Sequence, residues 1–375
     1  MGAGIDVVLS SPELIPHKRP GLLTTSAAVT ADLARGVDAL VGAGVRPHCL
    51  LAPEHGYWST GQAGEGGEEH LDPVTGVPVV STYRVWGPGL DSLLAQTTID
   101  ALVVDLPDIG CRFYTYLWSM FDAMASCARL GLPVIVLDRP TVLDVPALGP
   151  GLESSCSSFV GRVSLPLRHG ARLGALARHL ARHHLEAALD LTVIEAPGAD
   201  GQQVFVPSSP NMPTRETVAL YPGMGLLEGT TWCEGRGTTL PFSVVGAPWA
   251  GPELAGSLRD QHIPGVRVRE TVFVPAHGAF AGQRVHGAQV HPVTGENFDP
   301  LRLGHAVLST LRSHHPRREL WRRNREDGPF FLDLLWGSPA MREGIEDGAS
   351  YEQILAASPA APRIDGAPQT GEVTT

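Results

Sequence analysis

The sequence predicts a doubly wound α/β fold. Three observations carry this reading. Four short, continuously apolar runs fall in the first 140 residues, helix-like segments ending on glycine lie between them, and glycine and proline (43 and 32 of 375 residues) supply many tight turns. A run that is apolar throughout suits a parallel strand covered on both faces, where an alternating one suits a strand with one wet face.

Taken in order, the runs are RPGLLTTS (19–26), PHCLLAPE (47–54), DALVVDLPD (100–108) and PVIVLDRP (133–140). Between them, VTADLARGVDALVGAG (29–44) puts Leu33, Val37, Leu40 and Val41 on one face before a glycine stop. FYTYLWSMFDAMASCARLG (113–131) repeats the pattern with Phe113, Leu117, Met120, Phe121 and Met124. From about residue 160 the texture changes. Residues 168–185 read as an amphipathic helix, and 206–249 as a Gly/Pro-dense loop system held in order by Tyr221, Trp232, Phe242 and Trp249. Strands at 266–275 and 285–293 and a helix at 300–314 follow. Domains are expected at 1–160 and 161–355, with 356–375 a flexible Ala/Pro/Gly/Thr-rich tail.

Composition narrows the partners. A formal net charge of −11 argues against nucleic acid or an anionic membrane surface, both of which reward clustered Lys and Arg. No apolar stretch approaches the ~20 residues of a membrane span. The N-terminus shows no signal peptide, which fits a cytoplasmic protein as written, or an extracellular or periplasmic one if a leader has been removed. Five widely spaced cysteines without a CxxC or Cys/His cluster predict neither a disulfide framework nor a metal site. GxGxxG and GxxxxGK[ST] are absent, so no nucleotide cofactor is expected, and no cofactor of any other kind is indicated. GxSxG and HExxH are absent too, which disfavours a serine hydrolase or a zinc protease.

In an open α/β sheet, ligands bind beyond the carboxyl ends of the strands. Glu54, Asp105, Asp108 and Asp138 all fall at or just past those ends. Two carboxylates flanking a bond are the minimal apparatus for glycoside hydrolysis, and Glu54, Asp105, Asp108, Glu228 and Glu234 are the candidates. Glu228 and Glu234 open the segments EGT and EGRGT, whose glycines allow close backbone approach to a ligand. Arg236 there can hold a carboxylate through paired hydrogen bonds. DIGCRFYTY (108–116) adds Arg112 and Tyr114 facing a cleft, and SPNMP adds Asn211, whose amide bonds in both senses.

The motifs PEHGYW, DLPDIGCRFYTY, VIVLDRP, LPLRHG, PSSPNMP, YPG…LLEGT, CEGRGTTLPF and GAPW, in this order over residues 5–350, together resemble the NamZ-type exo-β-N-acetylmuramidases, a bacterial glycoside hydrolase family. The resemblance implies a Rossmann-like domain plus a smaller α/β domain, with the active site between them. It implies release of terminal non-reducing N-acetylmuramic acid from peptidoglycan fragments such as MurNAc-GlcNAc. Carried over, Glu54 is the general acid or acid/base; the motifs do not fix its catalytic partner, for which Glu234 and Asp108 are the candidates. Arg112, Tyr114, Arg168, His169 and Asn211 match cleft-lining positions and Glu228 one of the EG motifs, while His55 is expected to position the acid or the sugar. On charge complementarity, Arg236 or Arg168 is expected to bind the lactyl carboxylate. Two positions depart from the family pattern: Thr24-Thr25 stands where members have a TN pair, and DRPTVLD where they have DRPNP. A silent sugar-binding protein on the same scaffold, or a hydrolase of another glycoside or of a muramyl amide, stays open at this point.

Overall fold

The four apolar runs become neighbouring parallel strands. The computed structural model describes residues 2–196, 204–293 and 298–366. Among them the large sheet holds β1 (Pro20–Thr24), β2 (Cys49–Ala52), β3 (His70–Leu71), β4 (Pro78–Ser81), β5 (Ala101–Asp105), β6 (Val134–Leu137) and β7 (Leu191–Ile194). Their order is β3-β4-β2-β1-β5-β6-β7, and all pair in parallel except the short β3.

The near-continuous apolar character of β1, β2, β5 and β6 has a simple cause. Alternate side chains point to opposite faces, and both faces are covered. Leu22, Leu50, Val103 and Ile135 share one face with Ile5 and Val8 of α1 (Gly4–Ser10) and with Val37 and Leu40 of α2 (Gly36–Gly42). Leu23, Leu51, Val104 and Val136 share the other. There they meet α3 (Pro88–Thr97), α4 (Tyr116–Leu130) and α5 (Leu173–His184). Helix α2 is shorter than the 29–44 expected, because residues 28–35 turn back on themselves through Thr30 N–H to Ala34 O and a left-handed Leu33.

The expected boundary at residue 160 falls inside this unit, since α5 and β7 complete the large sheet. The second unit is built on a three-stranded antiparallel sheet. β8 (Val244–Ala247), β9 (Val266–Phe273) and β10 (Val285–Pro292) lie in the order β8-β10-β9. Around it pack α6 (Arg215–Met224), α7 (Glu253–Asp260), α8 (Pro300–His314), α9 (Phe331–Trp336), α10 (Ala340–Glu346) and α11 (Tyr351–Ala357). The aperiodic stretch 206–249 thus contains a helix and a strand. Gly223 in α6 is there for contact, because a Cβ on it would sit 1.7 Å from the Pro300 carbonyl oxygen where α6 crosses α8.

The expected tail is in part packed. The Pro359 carbonyl accepts from Gly151 N–H, Ser358 Oγ accepts from Trp336 Nε1, and Ile364 is buried, while 367–375 lie outside the described residues. One apolar core runs through both units, from Leu23 and Met120 to Met224, Phe242, Val307 and Trp336. No helix among the described residues is long and apolar enough to cross a membrane.

Candidate active site

Strand order reverses between β1 and β5, and there a doubly wound sheet opens its binding crevice. A cleft of about 210 Å³ lies beyond these carboxyl ends, lined by Ala27 and Thr30 after β1, Asp108 after β5 and Arg139 after β6.

Glu54 stands on the neighbouring edge, two residues past β2. His55 and Gly56 both take left-handed backbone angles (φ 70° and 75°), which reverses the chain at once. Gly56 is needed twice over, since a Cβ there would also lie 2.8 Å from Gly67 Cα. The glycine-rich loop then folds back over the carboxylate. Gly64 N–H donates to Glu54 Oε1 at 2.8 Å and the Thr115 hydroxyl donates to Oε2 at 2.6 Å, leaving the residue only 8% exposed. Oε1 faces an obligate donor, so a proton carried by Glu54 belongs on Oε2, beside Thr115. His55 Nδ1 meets the Gly61 carbonyl at 2.8 Å, which fixes the proton on Nδ1 and leaves Nε2 as the acceptor.

The loop is pinned from the far side as well. Asn211 Nδ2 donates to Gln62 Oε1 at 3.4 Å. Tyr114 donates to Ser208 Oγ (2.8 Å) and Tyr116 to the Ser208 carbonyl (3.1 Å). The PSSPNMP segment (207–213) therefore braces both the aromatic wall, through Ser208, and the Glu54 loop, through Asn211.

Asp108 accepts from Gly110 N–H through Oδ2, and His169 Nε2 lies 3.3 Å from the same oxygen. His169 Nδ1 accepts from Ala171 N–H, so its proton sits on Nε2, near Asp108 but without a hydrogen-bond partner among the described residues. Asp108 Oδ1 is enclosed and has no hydrogen-bond partner among the described residues. The other two acids at the sheet edge are occupied. Asp105 is held by Arg139 at 2.5 and 2.9 Å, and Asp138 by Arg172 at 2.8 Å and Gly174 N–H at 2.9 Å.

The EGT and EGRGT segments meet on one cation. Arg236 lies 3.1 Å from Glu228 Oε1 and 2.9 Å from Glu234 Oε1, with its guanidinium 4.7 Å from the Phe242 ring centre. Burial pushes the Glu228 carboxyl up, Arg236 opposes that, and Glu234 adds to it. The same two carboxylates hold the Arg236 guanidinium charged against the cost of burial. This cluster and the Glu54 side share an aromatic wall. Ring centres are 4.9 Å apart for Tyr116–Tyr114, 6.5 Å for Tyr114–Tyr221 and 4.7 Å for Tyr221–Phe242.

Two expected substrate contacts fall elsewhere. Arg112 is fully buried and gives its guanidinium to four carbonyls, those of Pro150, Leu165, Leu335 and Trp336. It clips the loop after β5 to the end of α9 and does not face the cleft. Arg168 turns to the Pro146 carbonyl (3.1 Å) and into the field of Asp299 at the N-cap of α8, so only the histidine of the LPLRHG pair reaches Asp108. Thr115, Gly64 and Ser208, which hold the site together, went unnoticed in the sequence. Only the threonine carried a signal there, and a threonine before a helix reads first as an N-cap.

A buried carboxylate at the edge of a doubly wound sheet, a second acid whose enclosed Oδ1 has no partner among the described residues and a wall of tyrosines are the kind of equipment a glycoside hydrolase uses. Comparison with known proteins gives the particular family. The family model described as the N-terminal domain of exo-β-N-acetylmuramidase NamZ matches residues 21–216, and that of its C-terminal domain matches residues 219–361. The chain belongs to this NamZ family. It is 36% identical to the peptidoglycan β-N-acetylmuramidase NamZ of Bacillus subtilis (strain 168), over 94% of this chain and 86% of that protein. Two crystal structures of DUF1343 family proteins from Bacteroides fragilis share the fold, each at 27% identity. One has a TM-score of 0.81 and covers 94% of this chain and 93% of its own; the other has 0.71, covering 95% and 94%.

Proposed function

We propose that the chain is an exo-acting β-N-acetylmuramidase. It removes terminal, non-reducing N-acetylmuramic acid from peptidoglycan fragments, MurNAc-GlcNAc being the smallest natural substrate, in muropeptide turnover or recycling. The observation that carries the assignment is the seat of Glu54. One oxygen is committed to a backbone donor and the other is shared with a hydroxyl, at the edge where sheets of this kind bind ligands. Glu54 is the general acid, and the Gly64 N–H on Oε1 leaves Oε2, beside Thr115, as the oxygen from which its proton departs.

Asp108 is the better supported partner of the two considered. Its Oδ1 is unpaired and its side chain lines the cleft, whereas Glu234 is bound to Arg236. Arg236 in turn is shared by two carboxylates, which opposes its taking a third from the lactyl group. The role the geometry supports for it is to hold Glu228 and Glu234 against the aromatic wall.

The test is release of leaving group from a chromogenic β-N-acetylmuramide. The expected result is turnover by the parent and a loss of roughly 10²–10⁴-fold for Glu54→Gln, the usual contribution of a general acid. Binding of the sugar without release by the parent would favour a silent binding protein. A Glu54→Gln rate within a few-fold of the parent would remove Glu54 from the chemistry.

A further inference from the structure

A line of polar side chains leads away from Glu54 along α4. Thr115, whose hydroxyl holds Glu54, is followed at helical spacing by Ser119, whose hydroxyl bonds back to the Thr115 carbonyl, and then by Asp122. Seven residues at about 1.5 Å each carry this line roughly 10 Å along the helix, the reach of a sugar residue or two. At its end Asp122 holds Arg162 through contacts of 2.7 and 3.2 Å.

Aromatic rings gather around that guanidinium. It lies 4.8 Å from the ring centre of Trp86 and 6.0 Å from that of Phe159, and Phe159 meets Tyr83 edge-on at 5.5 Å. Tyr83 closes the path back to the acid. Its ring packs on the Glu54 loop so closely that a Cβ on Gly66 would lie 3.1 Å from Tyr83 Cδ1, and Gly64, two residues earlier, donates to Glu54. Burial and then the Glu54 charge push the Tyr83 hydroxyl up, as that proximity requires. Trp86 is 49% exposed, an unusual position for the largest apolar side chain.

We infer that Tyr83, Trp86, Phe159 and Arg162 form a second saccharide subsite, which takes the sugar on the leaving-group side of the cleaved bond. The inference rests on the exo-muramidase reading, and that reading fixes the side. An enzyme that removes one terminal sugar places a single ring before the scissile bond, so a platform farther out along α4 serves the part of the chain that departs. The chemistry matches that occupant: flat apolar rings for the carbon–hydrogen face of a pyranose, and a guanidinium held in place for its hydroxyl and acetamido oxygens.

The experiment compares a p-nitrophenyl β-N-acetylmuramide with a tetrasaccharide of alternating N-acetylmuramic acid and N-acetylglucosamine, by the ratio of their kcat/KM values. Trp86→Ala is expected to lower the tetrasaccharide-to-chromogenic ratio about tenfold, the size of one lost aromatic contact, and to do so through KM. Trp86→Tyr is expected to keep the ratio within about twofold of the parent. Phe159→Ala provides a second reading of the same platform, and thermal melts of each variant confirm folding. A ratio for Trp86→Ala within about twofold of the parent overturns the subsite. Absence of turnover by the parent on both substrates overturns instead the muramidase reading on which it rests.

Discussion

Glu54 has its two oxygens engaged by groups ten and sixty-one residues away, so its orientation is set by tertiary contacts rather than by its own turn. Thr115→Val keeps the shape of the threonine and removes the donor. Losing a hydrogen bond to the neutral, proton-bearing acid costs about 0.5–1.5 kcal/mol, which corresponds to a fall in kcat/KM of roughly two- to tenfold if that orientation is used in the reaction. Steady-state kinetics on the chromogenic substrate check this, with Thr115→Ser expected to restore most of the rate. The places of Glu54 and Asp108 just past β2 and β5 were legible in the sequence because continuous apolar runs mark where such strands end. Arg112 was misplaced for a physical reason. An arginine just after a strand resembles a cleft cation, and the Leu335 and Trp336 carbonyls that consume it lie more than 220 positions along the chain.

At the scale of elements, that same arginine is a joint between units. Its burial holds the guanidinium down to about 10, and among the described residues its hydrogen bonds all go to carbonyls. Arg112→Leu strands four buried acceptors at about 1 kcal/mol or more each, and is expected to lower stability by roughly 4 kcal/mol in urea titrations. A second joint ties β3 and its turn to α2. Arg35 contacts Asp72 at 2.7 Å, and the Asp72 side chain is wholly buried. Burial alone would raise the Asp72 carboxyl, but Arg35 and Thr75 outweigh it and bring it down to about 2. With the unfolded carboxyl near 3.8, this stabilisation is complete above about pH 4 and disappears as pH falls towards 2. Asp72→Asn is therefore expected to cost on the order of 2 kcal/mol at pH 7 and progressively less below pH 4, as denaturation measured across that range will show. The strands β1, β2, β5 and β6 were readable because each is a continuous apolar run. Helix α6 was hidden by Pro222 and Gly223, residues that argue locally for a loop, and the second of them serves its crossing with α8.

For the whole molecule, the continuous core decides how the protein comes apart. The two sheets are separate, but Met120, Tyr221, Phe242 and Trp336 belong to one buried cluster. Differential scanning calorimetry is expected to show a single transition despite two recognisable units, and two resolved peaks would contradict this. All five cysteines are buried and unpaired: Cys49 in β2, Cys111 before α4, Cys127 in α4, Cys156 in a short 3₁₀ turn and Cys233 beside β8. Burial pushes the thiols up, to about 11 at Cys49 and Cys233 and about 12 at Cys127, so little nucleophilic thiolate forms at neutral pH. Their alkylation in the native protein then waits on global opening. A thiol reagent such as iodoacetamide becomes a clock for the unfolding rate, one that reads the same time from positions spread over both halves of the chain.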